Sequence, residues 1–475
     1  MQIYLIKNIH VVNEGSIRVS DVLIKNGRIE KIEPLIHSAS AGTGVNANII
    51  EIDGENKFLL PGAIDDQVHF REPGLTHKAT IYSEAKAAVA GGVTSYMEMP
   101  NTIPPAFTIE LLEEKYAVAA RDSLANYSFY IGTSNQNAEE TLKVNKRKNE
   151  VCGIKIFMGS STGNLLVDNP LVLEKVFGES EILIATHRED EKIIRRNLEM
   201  FKAKNRELTA QDHPLIRSEE ACFESSFYAI QLAKKHNSRL HILHISTEKE
   251  LQLFGNLLPL KEKRITAEVC VHHLHFTSDD YERMGNKIKC NPAIKAPQNK
   301  EALWNALLDD RLDVIATDHA PHLLSEKFPN IKDISSSGHL WDSKASPPAG
   351  GGGLEGAAGL PLVQHSLLLM LCYYNQGKIS LEKIAQKMSH AVADCFQIKE
   401  RGYIREGYYA DLVIVDLNAA TKVSKQNILY KCGWSPLDGF EFPAAITHTF
   451  INGNLVYGNG KWDESKKGER LSFER

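Results

Sequence analysis

Between residues 60 and 400 the chain alternates eight times between a short apolar, largely β-branched run and a stretch with helical spacing. The runs are 63–69, 93–97, 127–131, 153–157, 182–187, 240–244, 265–269 and 314–318. Strands that lie beside parallel neighbours are buried on both faces and read as continuous apolar runs, and each needs a crossover, usually a helix, to reach the next. The first such helix, 82–90, is alanine-rich and stops at Gly91-Gly92, directly before the second run. Eight βα units in series are what a (β/α)8 TIM-like barrel requires, so the chain is predicted to be α/β with that barrel at its centre.

Both ends of the chain read differently. Short strands are expected at 3–6, 19–24, 29–32 and 49–52, with a hairpin turn at Asn26-Gly27 and a polar loop at 38–48. Strands return at 411–416 and 445–457, the latter broken by Asn452-Gly453. The two ends are therefore expected to pair into one small composite β-sandwich domain, giving a division at 1–57, 58–404 and 405–475. Residues 354–374 and 381–396 look helical, 323–353 form a long aperiodic stretch of the kind used as a lid, and the charged tail from Lys461 is expected to be solvated.

At 475 residues the chain is long enough for a barrel and a satellite domain. A net charge of -5 offers no electrostatic footprint for nucleic acid or an anionic membrane, and no run of about 18 apolar residues is present. Seven dispersed cysteines without a C-x-x-C pair, and a start that lacks an apolar leader, point to a reducing compartment, the cytoplasm. The partner these features favour is a small-molecule substrate.

Active sites of barrels are built at the C-terminal ends of the strands. There the sequence places His69 after the first run, Lys155 in the fourth, His187 ending the fifth, His244 ending the sixth and Asp318 ending the eighth. Three imidazoles, a carboxylate and a lysine suit a divalent cation, with Zn²⁺ the best match and an open position for water. A lysine joins such a set only when modified, for example carboxylated on its amine. A metal lowers the pKa of a bound water, and Asp318 stands where it can take that water's proton and pass it to a leaving nitrogen. Gln67, His69 and Arg71 share one face of their strand. Arg71 offers a fork for a carboxylate, Asn101 a further donor, and Asn291 and His322 the rest of an anion pocket. A salt bridge from Arg71 to Glu72 or Asp66 is the structural alternative.

Two features are set aside. The run Val271-His272-His273-Leu274-His275 has no carboxylate at ligand spacing, so hydrogen-bonded structural roles are expected. The glycines 350–353 lack the G-K-[ST] ending of a phosphate loop.

With these residues placed, the chain resembles the class I-like dihydroorotases of the amidohydrolase superfamily over nearly its whole length. The resemblance lies in Pro61-Gly62 through Arg71-Glu72-Pro73-Gly74, Met99-Pro100-Asn101-Thr102, Gly153-Ile154-Lys155 and Leu243-His244-Ile245-Ser246-Thr247. It continues through Asn291-Pro292, Thr317-Asp318-His319-Ala320-Pro321-His322, Gly353-Leu354-Glu355 and Ala410-Asp411-Leu412-Val413-Ile414. It implies one or two Zn²⁺ ions, the first held by His69 and Asp318, the second by His187 and His244, with carboxylated Lys155 bridging. It further implies that Arg71, Asn101 and His322 hold the substrate, that Asn291 and the glycine-rich loop close over it, and that the protein is a homodimer. The implied reaction is the reversible cyclisation of N-carbamoyl-L-aspartate to L-dihydroorotate in de novo pyrimidine (UMP) biosynthesis. One departure stands out: where the family has H-x-H, this chain has Gln67-Val68-His69, and Gln67 offers only a carbonyl oxygen as a ligand. The competing readings are another cyclic amidohydrolase (hydantoinase, dihydropyrimidinase or allantoinase) and a catalytically silent dihydroorotase-like subunit.

Overall fold

The computed structural model describes residues 2–37, 49–159, 165–329 and 353–475. The loop at 38–48 and most of the expected lid at 323–353, including Gly350, lie outside the described residues.

The chain opens with β1 (Ile3–Asn13), β2 (Ser16–Lys25), β3 (Arg28–Glu33), β4 (Ile49–Asp53) and β5 (Phe58–Pro61). Eight strands follow: β6 (Ala63–Val68), β7 (Val93–Glu98), β8 (Asn126–Gly132), β9 (Gly153–Phe157), β10 (Ile184–His187), β11 (Leu240–Ile242), β12 (Ile265–Cys270) and β13 (Val314–Ala316). They pair in sequence order, all parallel, as one eight-stranded sheet. Val68 bridges to His319 just past β13, and the His69 amide donates to the His319 carbonyl at 2.7 Å, which joins the last strand to the first. The expected barrel is present. Residues of β7 are buried along their whole length because one face meets the barrel interior and the other the helices.

The end of the chain adds β14 (Leu412–Asp416), a small ladder of β15 (Thr421–Lys422) with β16 (Glu441–Phe442), then β17 (Ala445–Ile451), β18 (Asn454–Gly458) and β19 (Lys461–Trp462). Nine strands from both ends form one sheet in the order β19-β18-β17-β14-β5-β1-β2-β3, with β4 also on β1. Both predicted turns are there, with Asn26 and Gly27 at φ 55° and 81° and Asn452 and Gly453 at 48° and 71°. The period of two in β14 shows how this sheet attaches. Leu412 and Ile414 enter the sheet's own core with Tyr4, Ile24 and Phe450, whereas Val413 and Val415 enter the large cluster that surrounds the barrel. Gly62 links β5 to β6 at a close approach: a Cβ there would lie 2.2 Å from the Thr94 side chain.

Two segments depart from expectation. Residues 354–365 are not helical; the helix begins at Ser366 and runs to Asn375. Gly356 packs so closely that a Cβ would fall 2.1 Å from the Lys327 carbonyl, Gly359 has φ 141°, and Pro361 follows, so a helix cannot propagate through them. The helix at 381–396 does form, with a π turn at Gln386–His390. The tail is solvated only in part: residues 461–467 are exposed or half-exposed, whereas the last residues pack against the barrel. The Tyr127 amide donates to the Glu469 carbonyl and the Leu471 amide to the Tyr127 carbonyl, so the tail runs beside the start of β8. Leu471 and Phe473 join Ile64, Met97, Tyr130 and Leu183 in the interior cluster, and Arg475 donates to the carbonyls of Val151, Cys152 and Phe396. The tail's polar composition hid two apolar side chains that close the bottom of the barrel. Phe473→Ala is therefore expected to cost about 3–5 kcal/mol, read as a lower thermal midpoint by circular dichroism. An unchanged midpoint would remove the tail from the core.

Candidate active site

A cavity of about 350 Å³ opens at the C-terminal end of the barrel. Gln67, His69, Arg71 and Asn101 line it from the first two βα units, Lys155 and His187 from the next part of the ring, and His244, Asn291 and Asp318 complete it. Every candidate from the sequence except His322 reaches this wall.

Three of these residues sit in the left-handed region of backbone space: Arg71 at φ 69°, His244 at 40° and Asp318 at 46°. Non-glycine residues adopt it at a cost of about 1–3 kcal/mol, held by surrounding contacts. For Asp318 the contacts are visible on both sides. Thr317 donates from its amide and hydroxyl to the buried Asp65 carboxylate, and the His319 ring lies 2.8 Å from Glu84 Oε2 while its Nδ1 accepts from the Leu362 and Val363 amides. For His244 the Glu268 carboxylate accepts the backbone amide at 2.9 Å, and Arg188 donates to the neighbouring Leu243 carbonyl. β6, β11 and β13 are thus each followed by a bend that carries a polar side chain to the cavity.

The polar groups fall into two sets. In the first, His187 Nδ1 lies 2.9 Å from His244 Nε2, with the rings steeply inclined at 78°. Burial, together with the Lys155 cation for His187 and with His187 for His244, holds both imidazoles well below their ordinary range. Two neutral imidazoles that point nitrogens at each other share one proton or one cation, and a divalent ion fits that donor pair. Burial also pulls the Lys155 ammonium down to about 7.

In the second set, Asp318 Oδ1 accepts from Gln67 Nε2 at 3.0 Å and lies 3.1 Å from His69 Nε2. His69 Nδ1 lies 2.7 Å from Asn101 Oδ1. A donor hydrogen at Nδ1 leaves Nε2 with its lone pair, the tautomer in which metal-binding histidines are held by a carbonyl partner.

Arg71 occupies the third side. Its Nε donates to the Pro321 carbonyl at 3.2 Å and its Nη2 lies 3.1 Å from His322 Nε2. Burial brings the guanidinium down to about 10, still charged near neutral pH. No ion pair to Glu72 or Asp66 forms; Glu72 accepts the Ile81 amide instead. His322 stands behind Arg71, off the cavity wall. Burial and the Arg71 charge lower it to about 3, so it is a neutral acceptor for Arg71 with Nδ1 toward Glu326, 3.5 Å away.

Sequence reasoning passed over further residues of this wall. His213 and Arg217 come from Asp212-His213-Pro214-Leu215-Ile216-Arg217, and Lys289 precedes Asn291. His213 Nε2 lies 3.1 Å from Asn291 Oδ1, and Lys289 donates to the Gly356 carbonyl at 2.6 Å. The only legible signal was polar density in two segments without periodicity.

The histidine run 271–275 is more varied than expected. His273 Nε2 lies 3.1 Å from the Pro292 carbonyl and His275 Nδ1 3.0 Å from the Tyr373 hydroxyl, as hydrogen-bonded roles require. His272 is buried with no well-formed partner on either ring nitrogen among the described residues, and it groups with Cys270 and His273 as ligand-type atoms within 4.8 Å. Asp66, His241 and Glu268 form a second such group. There His241 Nε2 lies 3.1 Å from Asp66 Oδ2, and against its burial the two carboxylates raise the imidazole to about 9. A buried imidazolium between carboxylates accounts for that group.

Comparison with known proteins agrees with this architecture. The model of the amidohydrolase family matches residues 58–456. A dihydroorotase of Carboxydothermus hydrogenoformans is 33% identical over 455 residues, covering 95% of this chain and 96% of that protein. A dihydroorotase of Methanosarcina acetivorans is 31% identical, covering 95% and 91%. Among solved structures, the L-hydantoinase (dihydropyrimidinase) of Arthrobacter aurescens superposes with a TM-score of 0.84 at 26% identity over 99% of both chains. The dihydropyrimidinase of Brevibacillus agri, 21% identical with a TM-score of 0.82, shares the fold.

Proposed function

The chain belongs to the amidohydrolase family, and from that premise we propose that it is a dihydroorotase, interconverting N-carbamoyl-L-aspartate and L-dihydroorotate. The observation that carries this reading is Arg71. A buried, charged guanidinium with two donors spent on Pro321 and His322 still offers N–H groups to the cavity it lines. A carboxylate on the substrate ring satisfies that charge. The size of the cavity suits one small ring.

His187, His244 and Lys155 would hold a divalent ion, with Zn²⁺ the best match to imidazole donors. Such an ion polarises a carbonyl and makes water a better nucleophile near neutral pH. Lys155 would be carboxylated on Nζ: at a pKa of about 7 a large share is free amine at neutral pH, the form that adds carbon dioxide and gives up a proton to solvent, and the carbamate would supply a negative ligand. Asp318 accepts the proton of the attacking water as the C–O bond forms and returns it to the ring nitrogen as the C–N bond breaks. Gln67 steadies its carboxylate for both transfers. Arg71, steadied by His322, grips the ring carboxylate, and Asn101 and Asn291 flank it. In the reverse direction the same groups close the ring.

We place the enzyme in pyrimidine biosynthesis, in the cytoplasm, as a homodimer. The seven cysteines are all free thiols, and no described helix is long and apolar enough to cross a membrane. We also propose units at 1–57, 58–404 and 405–475, with β5, the first strand of the middle unit, pairing into the sheet of the chain ends. The hydantoinase-like structural neighbours favour a second reading, hydrolysis of an uncharged cyclic amide, which leaves the Arg71 charge without a partner on the substrate. Turnover of L-dihydroorotate, hydantoin and allantoin by the purified protein, before and after chelation, separates them. Dihydroorotate is expected to be the preferred substrate and chelation to abolish its hydrolysis. Faster turnover of hydantoin would sink the proposal, and absence of all three activities would favour a silent subunit.

A further inference from the structure

Within the metal-dependent reading above, on which this inference rests, we propose that the centre binds one tightly held divalent ion on the His187–His244–Lys155 side. Gln67 then serves as a positioning residue that fixes Asp318.

The two sets of polar groups differ in what they offer a cation. His187 and His244 present two imidazole nitrogens 2.9 Å apart, and His187 Nε2 is buried without a hydrogen-bond partner among the described residues. Nothing on the other side is equivalent. His69 is the sole imidazole there among the described residues, and its Nε2 faces Asp318 Oδ1, the same oxygen that accepts from Gln67.

The orientation of the Gln67 amide follows from its surroundings. Turned over, it would place its carbonyl oxygen 3.0 Å from a carboxylate oxygen, both side chains being buried, which is repulsive. With nitrogen toward Asp318, the Gln67 side chain presents a donor hydrogen where an ion would need a lone pair. Its remaining oxygen, buried without a hydrogen-bond partner, is a neutral and weak ligand. A second dication would therefore meet one imidazole, one carboxylate already accepting a hydrogen bond, and an amide oxygen. That set is too poor to compete with the His187–His244 pair.

What Gln67 gains from this arrangement is control of Asp318. Asp318 lies on strained backbone at φ 46°, beyond the last residue of β13, and its carboxylate has freedom to turn about two bonds. The hydrogen bond from Gln67 holds Oδ1 on the first-strand side. A charge-assisted hydrogen bond of this kind is worth about 1.5–3 kcal/mol, or roughly 10–150-fold in a rate that depends on it.

The test counts ions and separates kcat from KM. Full-length protein is saturated with Zn²⁺, freed of excess by gel filtration and analysed by mass spectrometry of the metal. The wild type is expected to keep one ion per chain and Gln67→His two. Cobalt-loaded wild type is expected to give the paramagnetic resonance of an isolated ion, a readout that needs no variant to fold. Gln67→Met, similar in size but without a donor, is expected to keep the single ion and the KM for L-dihydroorotate while kcat falls at least tenfold. Two ions per wild-type chain, with a coupled cobalt pair, would overturn the single-ion centre and leave the proposed reaction standing. A chain that turns over dihydroorotate with no metal at all would overturn the metal-dependent reading as well. Full kcat in Gln67→Met would overturn the positioning role.

Discussion

Asp318→Asn is expected to lower kcat for dihydroorotate hydrolysis by about 10²–10⁴-fold, the contribution of a positioned acid–base group, while KM changes little. Asparagine keeps the size of the side chain and an oxygen to accept the Gln67 hydrogen bond. It loses the capacity to take up a proton. Arg71 is held by Pro321 and His322 independently of the Asp318 side chain, so substrate binding should persist. The ion count should persist too, because the His187–His244 pair makes no hydrogen bond to the Asp318 side chain. Steady-state kinetics and metal analysis on the same preparation check this. A loss below tenfold with the metal retained would remove Asp318 from the proton path.

The second large effect concerns recognition. Arg71→Met is expected to raise the KM for L-dihydroorotate by about 10–150-fold, the value of a charged hydrogen bond. Any slow turnover of hydantoin should be untouched, since that ring carries no carboxylate. Methionine matches the aliphatic stem of arginine, so packing along the stem survives while the charge and the fork are lost. Arg71→Lys is expected to recover little: an ammonium cannot hold the Pro321 carbonyl, His322 and a carboxylate with one planar group. Competition between the two substrates reads the change directly. Equal KM values in wild type and Arg71→Met would refute the assignment of Arg71 to the ring carboxylate.

Much of this site was legible in the sequence because barrel strands are short and end together. A polar residue that closes an apolar run of β-branched residues falls on one rim, so His69, Lys155, His187, His244 and Asp318 could be grouped without coordinates. His322 was legible as a polar neighbour of Asp318 but not as a support for Arg71. A tight bend after β13 decides which way each residue of Asp318-His319-Ala320-Pro321-His322 points, and no periodicity encodes it. His213, Arg217 and Lys289 escaped for the same reason, lying on loops and short turns. The tail misled because its composition is polar while two apolar residues, Leu471 and Phe473, make its decisive contacts.

The amino-acid sequence by itself determined the barrel, the pairing of the two chain ends and the residue types around the cavity. These follow from local properties: runs of apolar residues, turn chemistry at Asn26-Gly27 and Asn452-Gly453, and strand length. Only the tertiary structure decided how those residues divide the work. The Gln67 amide faces Asp318, the His187 and His244 nitrogens face each other, and His322 backs Arg71 because of left-handed bends and hydrogen bonds between residues about 250 positions apart in some pairs and 57 in another. Directions of that kind are set by which chains meet in space, a property that no stretch of sequence contains alone.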